Sequence, residues 1–71
     1  MQLKENLVRL SKARGWSLSY LARQAHVPKA TLHGWITGRA VRDLEQVRRV
    51  ALVLKIPLYG LLFSDRDPYG P

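Results

Sequence analysis

The amino-acid sequence predicts an all-α fold, a bundle of five short helices forming one small domain. Three observations carry this expectation. Apolar residues recur at three- and four-residue spacings, the pattern of helices that bury one face. Gly15, Pro28, Gly38 and Pro57 punctuate those segments where a helix must stop or start. The chain has 71 residues and no cysteine, so helix packing must do without a disulfide or thiolate-metal staple. A domain this small buries only about 60% of its unfolded surface, and its helices must pack efficiently.

The first helix is expected over residues 2–13, with Leu3, Leu7 and Leu10 inward and Gly15 as a left-handed stop. Ser17 is a good N-cap for the second helix, because its hydroxyl can accept a free N–H of the first turn. That helix should span 18–25, with Leu18, Leu21, Ala22 and Ala25 on one face. His26-Val27-Pro28 stops it, and proline can stand in the first turn of the next helix. The third helix is expected over 28–37, burying Leu32, Trp35 and Ile36, with Gly38 as its stop. Trp35 reads as core, since its spacing from Leu32 points it inward. A loop over 39–42 leads to Asp43, which caps or opens a fourth helix running to Leu54. Leu44, Val47, Val50, Ala51 and Leu54 should lie inside it. A short fifth helix covers 57–63. The body is therefore 1–63, and 64–71, polar with Pro68, Gly70 and Pro71, reads as a flexible tail.

Twelve Lys and Arg against five Asp and Glu give a net charge of +7. Residues 64–71 remove Arg66, Asp65 and Asp67, leaving eleven basic and three acidic residues, or +8, on the body. A polyanion is the natural partner for such a surface. The second and third helices, joined by so few residues, must cross steeply and leave the third projecting. That is helix-turn-helix geometry, in which the second helix of the pair can enter a DNA major groove.

The ordered series Leu21-Ala22-x-x-Ala25-x-Val27-Pro28-x-x-Thr31-Leu32-x-x-Trp35-x-x-Gly38-Arg39 resembles the lambda-repressor/Cro-type (XRE) family of bacterial and phage DNA-binding domains. Leu44, Val47, Val50-Ala51 and Leu54-x-Ile56-Pro57-Leu58-x-x-Leu61-Leu62 extend the likeness to the family's fourth and fifth helices. The resemblance covers roughly residues 3–63 and rests on the order of the series. It implies a compact lambda-repressor-like bundle and a sequence-specific transcriptional regulator of double-stranded DNA, expected to be a repressor.

By position, the resemblance assigns base contacts to Lys29, Ala30, His33 and Gly34. Lys29 would donate to guanine O6 or N7, and Ala30 would pack on a thymine methyl. His33 would hydrogen-bond a base edge or a phosphate, and Gly34 would only permit close approach. Phosphate contacts fall to Ser17, Ser19, Thr31, Thr37, Arg39 and Arg42, assisted by N–H groups at helix termini. Arg23 is a weaker backbone candidate, and Arg48 and Arg49 supply general field. Leu58, Tyr59, Leu61, Leu62 and Phe63 are more apolar residues than one side of a short helix can bury. They are expected to form a homodimer surface, in solution or only on DNA, matching a palindromic operator.

The chain departs from the family pattern in several places. Leu18 stands where most members carry a glutamine that braces a phosphate. His26 replaces the usual turn glycine, and Pro28 and Pro57 replace capping Ser or Thr. Ser11 and Ile36 occupy the positions of a common Arg–Glu pair, lost here as a unit. Losing only one partner would strand a buried charge at roughly 3–5 kcal/mol, whereas apolar replacement of both can be neutral.

Enzymatic activity is not expected, since the two histidines lack a nucleophile, base and orienter at workable spacing. No metal site, nucleotide fingerprint or cofactor is expected either. With no run of about twenty apolar residues and no signal-peptide layout, a cytoplasmic, nucleoid-associated protein is expected. The competing expectation is a protein-interaction module on the same fold, such as an antitoxin, anti-repressor or co-regulator with weak or partner-dependent DNA binding. Leu18, Ala30 and Gly34 favour it by leaving the reading face poor in amides.

Overall fold

The computed structural model describes residues 2–63, and the expected tail over 64–71 lies outside them. Five helices and no strand are present among the described residues: α1 (Leu3–Arg14), α2 (Leu18–Ala25), α3 (Lys29–Ile36), α4 (Leu44–Leu54) and α5 (Leu58–Phe63). Helix α2 packs on α3 and α4, while α1 packs on α3 and α5, and α5 also meets α4. Leu7, Leu21, Leu32, Val47, Val50, Leu54 and Leu61 sit fully buried where these helices converge. Trp35 is buried as its spacing requires, with Ile36 half-buried beside the core. No helix among the described residues is long and apolar enough to cross a membrane.

Side-chain caps set the helix starts that the sequence locates best. Ser17 Oγ accepts the Tyr20 N–H at 3.1 Å, and Asp43 Oδ1 accepts the Glu45 N–H at 3.0 Å. Pro28 lies just before α3 and still accepts the Thr31 and Leu32 N–H groups through its carbonyl, at 3.0 and 3.3 Å. Thr37 is the cap at the other end of α3. The expected span of 28–37 therefore includes both flanking residues of an eight-residue helix.

The ends of α1, α2, α3 and α4 all close in the same way. A left-handed residue follows each helix: Gly15 (φ 68), His26 (φ 56), Gly38 (φ 102) and Lys55 (φ 60). Its successor donates an N–H to the carbonyl five residues back: Trp16 to Ser11, Val27 to Ala22, Arg39 to Gly34 and Ile56 to Ala51, at 2.8–3.1 Å. Left-handed backbone at His26 and Lys55 costs roughly 1–2 kcal/mol relative to glycine. The sequence anticipates this strain at His26, because glycine is usual there, but nothing flags Lys55.

Polar side chains tie α1 to the far end of the chain. Asn6, only 1% exposed, donates through Nδ2 to the carbonyls of Leu61 (2.7 Å) and Gly60 (3.3 Å), and it accepts from Arg9. The Gln2 N–H donates to the Leu62 carbonyl at 2.6 Å. Last-turn carbonyls of a short helix have no partner within the helix, so α1 supplies one. Arg14 does the same for α4, donating to the Leu54 carbonyl at 2.6 Å while its guanidinium lies 5.2 Å from the Trp16 ring centroid.

One sequence expectation about the core is corrected. Leu44 is 59% exposed, because the first turn of α4 extends past the core that begins at Val47. Ser11 is buried with its hydroxyl oxygen unpartnered among the described residues.

Candidate nucleic-acid interface

Helix α3 turns Leu32 and Trp35 into the core and Lys29, Ala30 and His33 to solvent. Positions 29, 30 and 33 share one side of a helix, being neighbours at three- and four-residue spacings. Gly34 continues that side but is buried. The Arg39 side chain crosses it, so the open approach expected at this position is occupied by the chain's own arginine.

Beside α3 runs a groove of about 650 Å³, formed where the α3–α4 loop folds along the helix. Ala30, Thr31 and Gly34 line one wall, while Arg39, Arg42 and Asp43 come from the loop and the α4 cap. Gln46, reaching in from α4, also lines it and carries no sequence signal, because only tertiary folding brings that turn against α3. Lys29, Arg39 and Arg42 are exposed, and among the described residues their side chains enter no ion pair or hydrogen bond. Cations with no internal carboxylate partner beside an exposed helix face stay available to an anion.

The hydroxyl candidates differ in what they can offer. Ser17 uses its oxygen as acceptor in the α2 cap, which leaves its proton free to donate. Ser19 and Thr31 are half-exposed near the starts of α2 and α3. Thr37 Oγ1 already donates to its own helix, with the His33 and Gly34 carbonyls at 3.0 and 3.1 Å. Its one proton is therefore engaged inside the chain.

On α4, two of the cations are partly neutralised. Arg48 makes a two-pronged contact with Glu45 at 3.0 and 2.9 Å, and Arg49 Nε lies 3.6 Å from the same carboxylate. The hydrogen bond from Arg48 holds the Glu45 carboxyl below its ordinary pKa, with the charges of Arg48 and Arg49 adding to it. The general field expected of these two arginines is correspondingly reduced, whereas Lys29, Arg39 and Arg42 beside α3 share their charge with no carboxylate among the described residues.

Helix α5 divides its apolar residues. Leu61 and Leu62 are buried in the chain's own core and Leu58 is half-buried, so Leu61 and Leu62 are not available at the surface expected of them. They face α1 and α4, the two helices α5 packs against. Tyr59, 74% exposed, and Phe63, 50% exposed, remain outside with ring centroids 4.9 Å apart.

A family model described as helix-turn-helix matches residues 6–61. Among solved structures, the N-terminal DNA-binding domain of SinR from Bacillus subtilis is similar, with a TM-score of 0.84 at 24% identity, covering 92% of this chain and 96% of that one. At that identity the likeness is one of fold. No curated protein matches the chain.

Proposed function

The chain belongs to the helix-turn-helix family of the lambda-repressor/Cro (XRE) type, and from that premise we propose that it is a sequence-specific regulator that represses transcription by binding double-stranded DNA. The observation that carries this reading is the α3 face, where exposed Lys29, Ala30 and His33 are flanked by the unpaired Arg39 and Arg42. The fold it shares with a SinR domain named for DNA binding supports the same partner here.

In this reading α3 lies in the major groove. Lys29 donates to a guanine edge, Ala30 packs on a thymine methyl and His33 bonds a base or phosphate. Arg39, Arg42, Ser17, Ser19 and Thr31 hold the sugar-phosphate backbone and supply most of the affinity. Thr37 contributes only by releasing its internal hydrogen bonds. Two copies meet through the Tyr59–Phe63 aromatic pair, placing their α3 helices about one DNA turn apart on a palindromic operator.

Titration of a labelled duplex at several salt concentrations tests the reading. A protein neutralising about six phosphates shows log K falling with log salt at a slope near −5. Joint replacement Arg39→Ala and Arg42→Ala weakens binding to every duplex and flattens that slope, whereas Lys29→Ala costs about 1–3 kcal/mol at one base position. Phe63→Asp lowers the sedimentation coefficient of any dimer without unfolding the chain. No affinity for any duplex at low ionic strength would overturn the proposal.

A further inference from the structure

We propose that Gly34 and Arg39 act as one unit. The absent side chain at position 34 leaves a seat on α3, the Arg39 stem fills it, and the Arg39 guanidinium becomes the donor that α3 presents there. The inference rests on the duplex-binding reading above and deepens it by naming a positioning residue and the group it positions.

The argument starts from the shared closure of the first four helices. In each, the residue after the left-handed position is returned against the helix it leaves. Three of these returned residues are apolar and turn inward: Val27 and Ile56 are buried, and Trp16 is half-buried against the core. An apolar contact back to the helix is the usual companion of this closure. The fourth, Arg39, is a cation, and it is exposed.

Geometry shows how a cation fits that place. Gly38 in left-handed backbone folds the chain so that the Arg39 N–H meets the Gly34 carbonyl at 2.8 Å. A Cβ at position 34 would stand 3.0 Å from Arg39 Cδ, 3.6 Å from its Cβ and 3.7 Å from its Cγ. The stem therefore runs across Gly34, and a Cβ there would press on Arg39 Cδ, which must give by a few tenths of an ångström, with Arg39 Cβ and Cγ at ordinary contact distance. The guanidinium begins one bond beyond Cδ, and Arg39 lines the groove together with Ala30, Thr31 and Arg42. It has no ion-pair partner among the described residues. Its planar donors suit a pair of acceptors on the duplex, either phosphate oxygens or the O6/N7 edge of guanine.

A double-mutant cycle tests the unit. The native chain, Gly34→Ala, Arg39→Met and the double variant are titrated with a labelled duplex that the native chain selects from a random pool. Arg39→Met keeps an unbranched stem and removes only the guanidinium. We expect Arg39→Met to weaken binding about tenfold and Gly34→Ala about threefold, while the double variant binds no more weakly than Arg39→Met alone. Thermal unfolding of Gly34→Ala should begin no lower than that of the native chain, since alanine favours a helix over glycine. A displaced side chain, not a damaged fold, then accounts for its loss. Early unfolding of Gly34→Ala would assign its loss to the fold and overturn the unit.

The acceptor is identified by the form of the loss. Weakening confined to one base pair points to guanine, and uniform weakening with a salt slope reduced by about one points to phosphate. Additive losses, or native affinity in Arg39→Met, would overturn the unit while leaving duplex binding standing. A native chain with no duplex affinity would overturn both.

Discussion

At the start of α3 the chain turns through His26 and Val27, and at its end it turns through Gly38 and Arg39. The two turns make the same pair of hydrogen bonds, to the carbonyls three and five residues back. At the first turn an L residue bears left-handed strain and the next side chain disappears into the core, with Val27 only 4% exposed. At the second, glycine adopts the turn freely and the next side chain, Arg39, faces solvent. One backbone device thus anchors α3 at one end and arms it at the other. The side chain in the returned position decides which.

The contrast can be broken by mutation, and the largest effect should come from the anchoring turn. Val27→Ala is expected to cost about 2 kcal/mol in urea unfolding, the burial value of the lost methyl groups plus the void they leave. Arg39→Ala, at the equivalent place in the other turn, should stay within about 0.5 kcal/mol by the same measurement, as an exposed substitution does. Equal losses would erase the distinction.

Exchanging the residues at the left-handed positions sharpens it further. Gly38→Ala should destabilise by about 1–2 kcal/mol, since φ there is unfavourable for any L side chain. His26→Gly should instead stabilise by about 1 kcal/mol, the relieved strain exceeding the added freedom of the unfolded chain. Lys55→Gly, at the turn between α4 and α5, should match His26→Gly in sign and size. A gain at only one of these positions would mean that the turns differ in more than their side chains.

The smallest effect belongs to a pair that touches neither turn's closure. Arg48 lowers the pKa of Glu45, so the ionised carboxylate is favoured in the folded chain. Stability from this group is present above the unfolded carboxylate's pKa and is lost as pH falls through the lower folded value. Because the pair is exposed, acid titration of the unfolding midpoint should show a slight fall in that window. Glu45→Gln should remove it, and an unchanged acid profile in that variant would assign the fall to other carboxylates.

The sequence made the helices legible wherever a side chain sets the boundary. Ser17 and Asp43 mark their helices correctly because they cap through their own oxygens, with a geometry local to a few residues. Gln2 caps nothing with its side chain, and α1 accordingly starts and stops one residue later than periodicity suggests. Periodicity also cannot tell where a helix overruns its partners, which is why it puts Leu44 inside although the residue lies outside. In α5 the apolar residues are too dense to assign a face, and packing against α1 and α4 alone sends Leu61 and Leu62 inward. The candidate site was legible as the α3 face and its flanking arginines. The Arg39 stem over Gly34 was not, since it depends on a loop folding back along a helix.

The Gln2–Leu62 hydrogen bond brings the two ends of the described body side by side. Bridging neighbouring ends with a short peptide costs little loop-closure entropy. A circular permutant reopened elsewhere on the surface should therefore recover the same bundle. Asn6 would then hold together two segments consecutive in the new chain, and a contact spanning nearly the whole body would become a local one that forms early in folding.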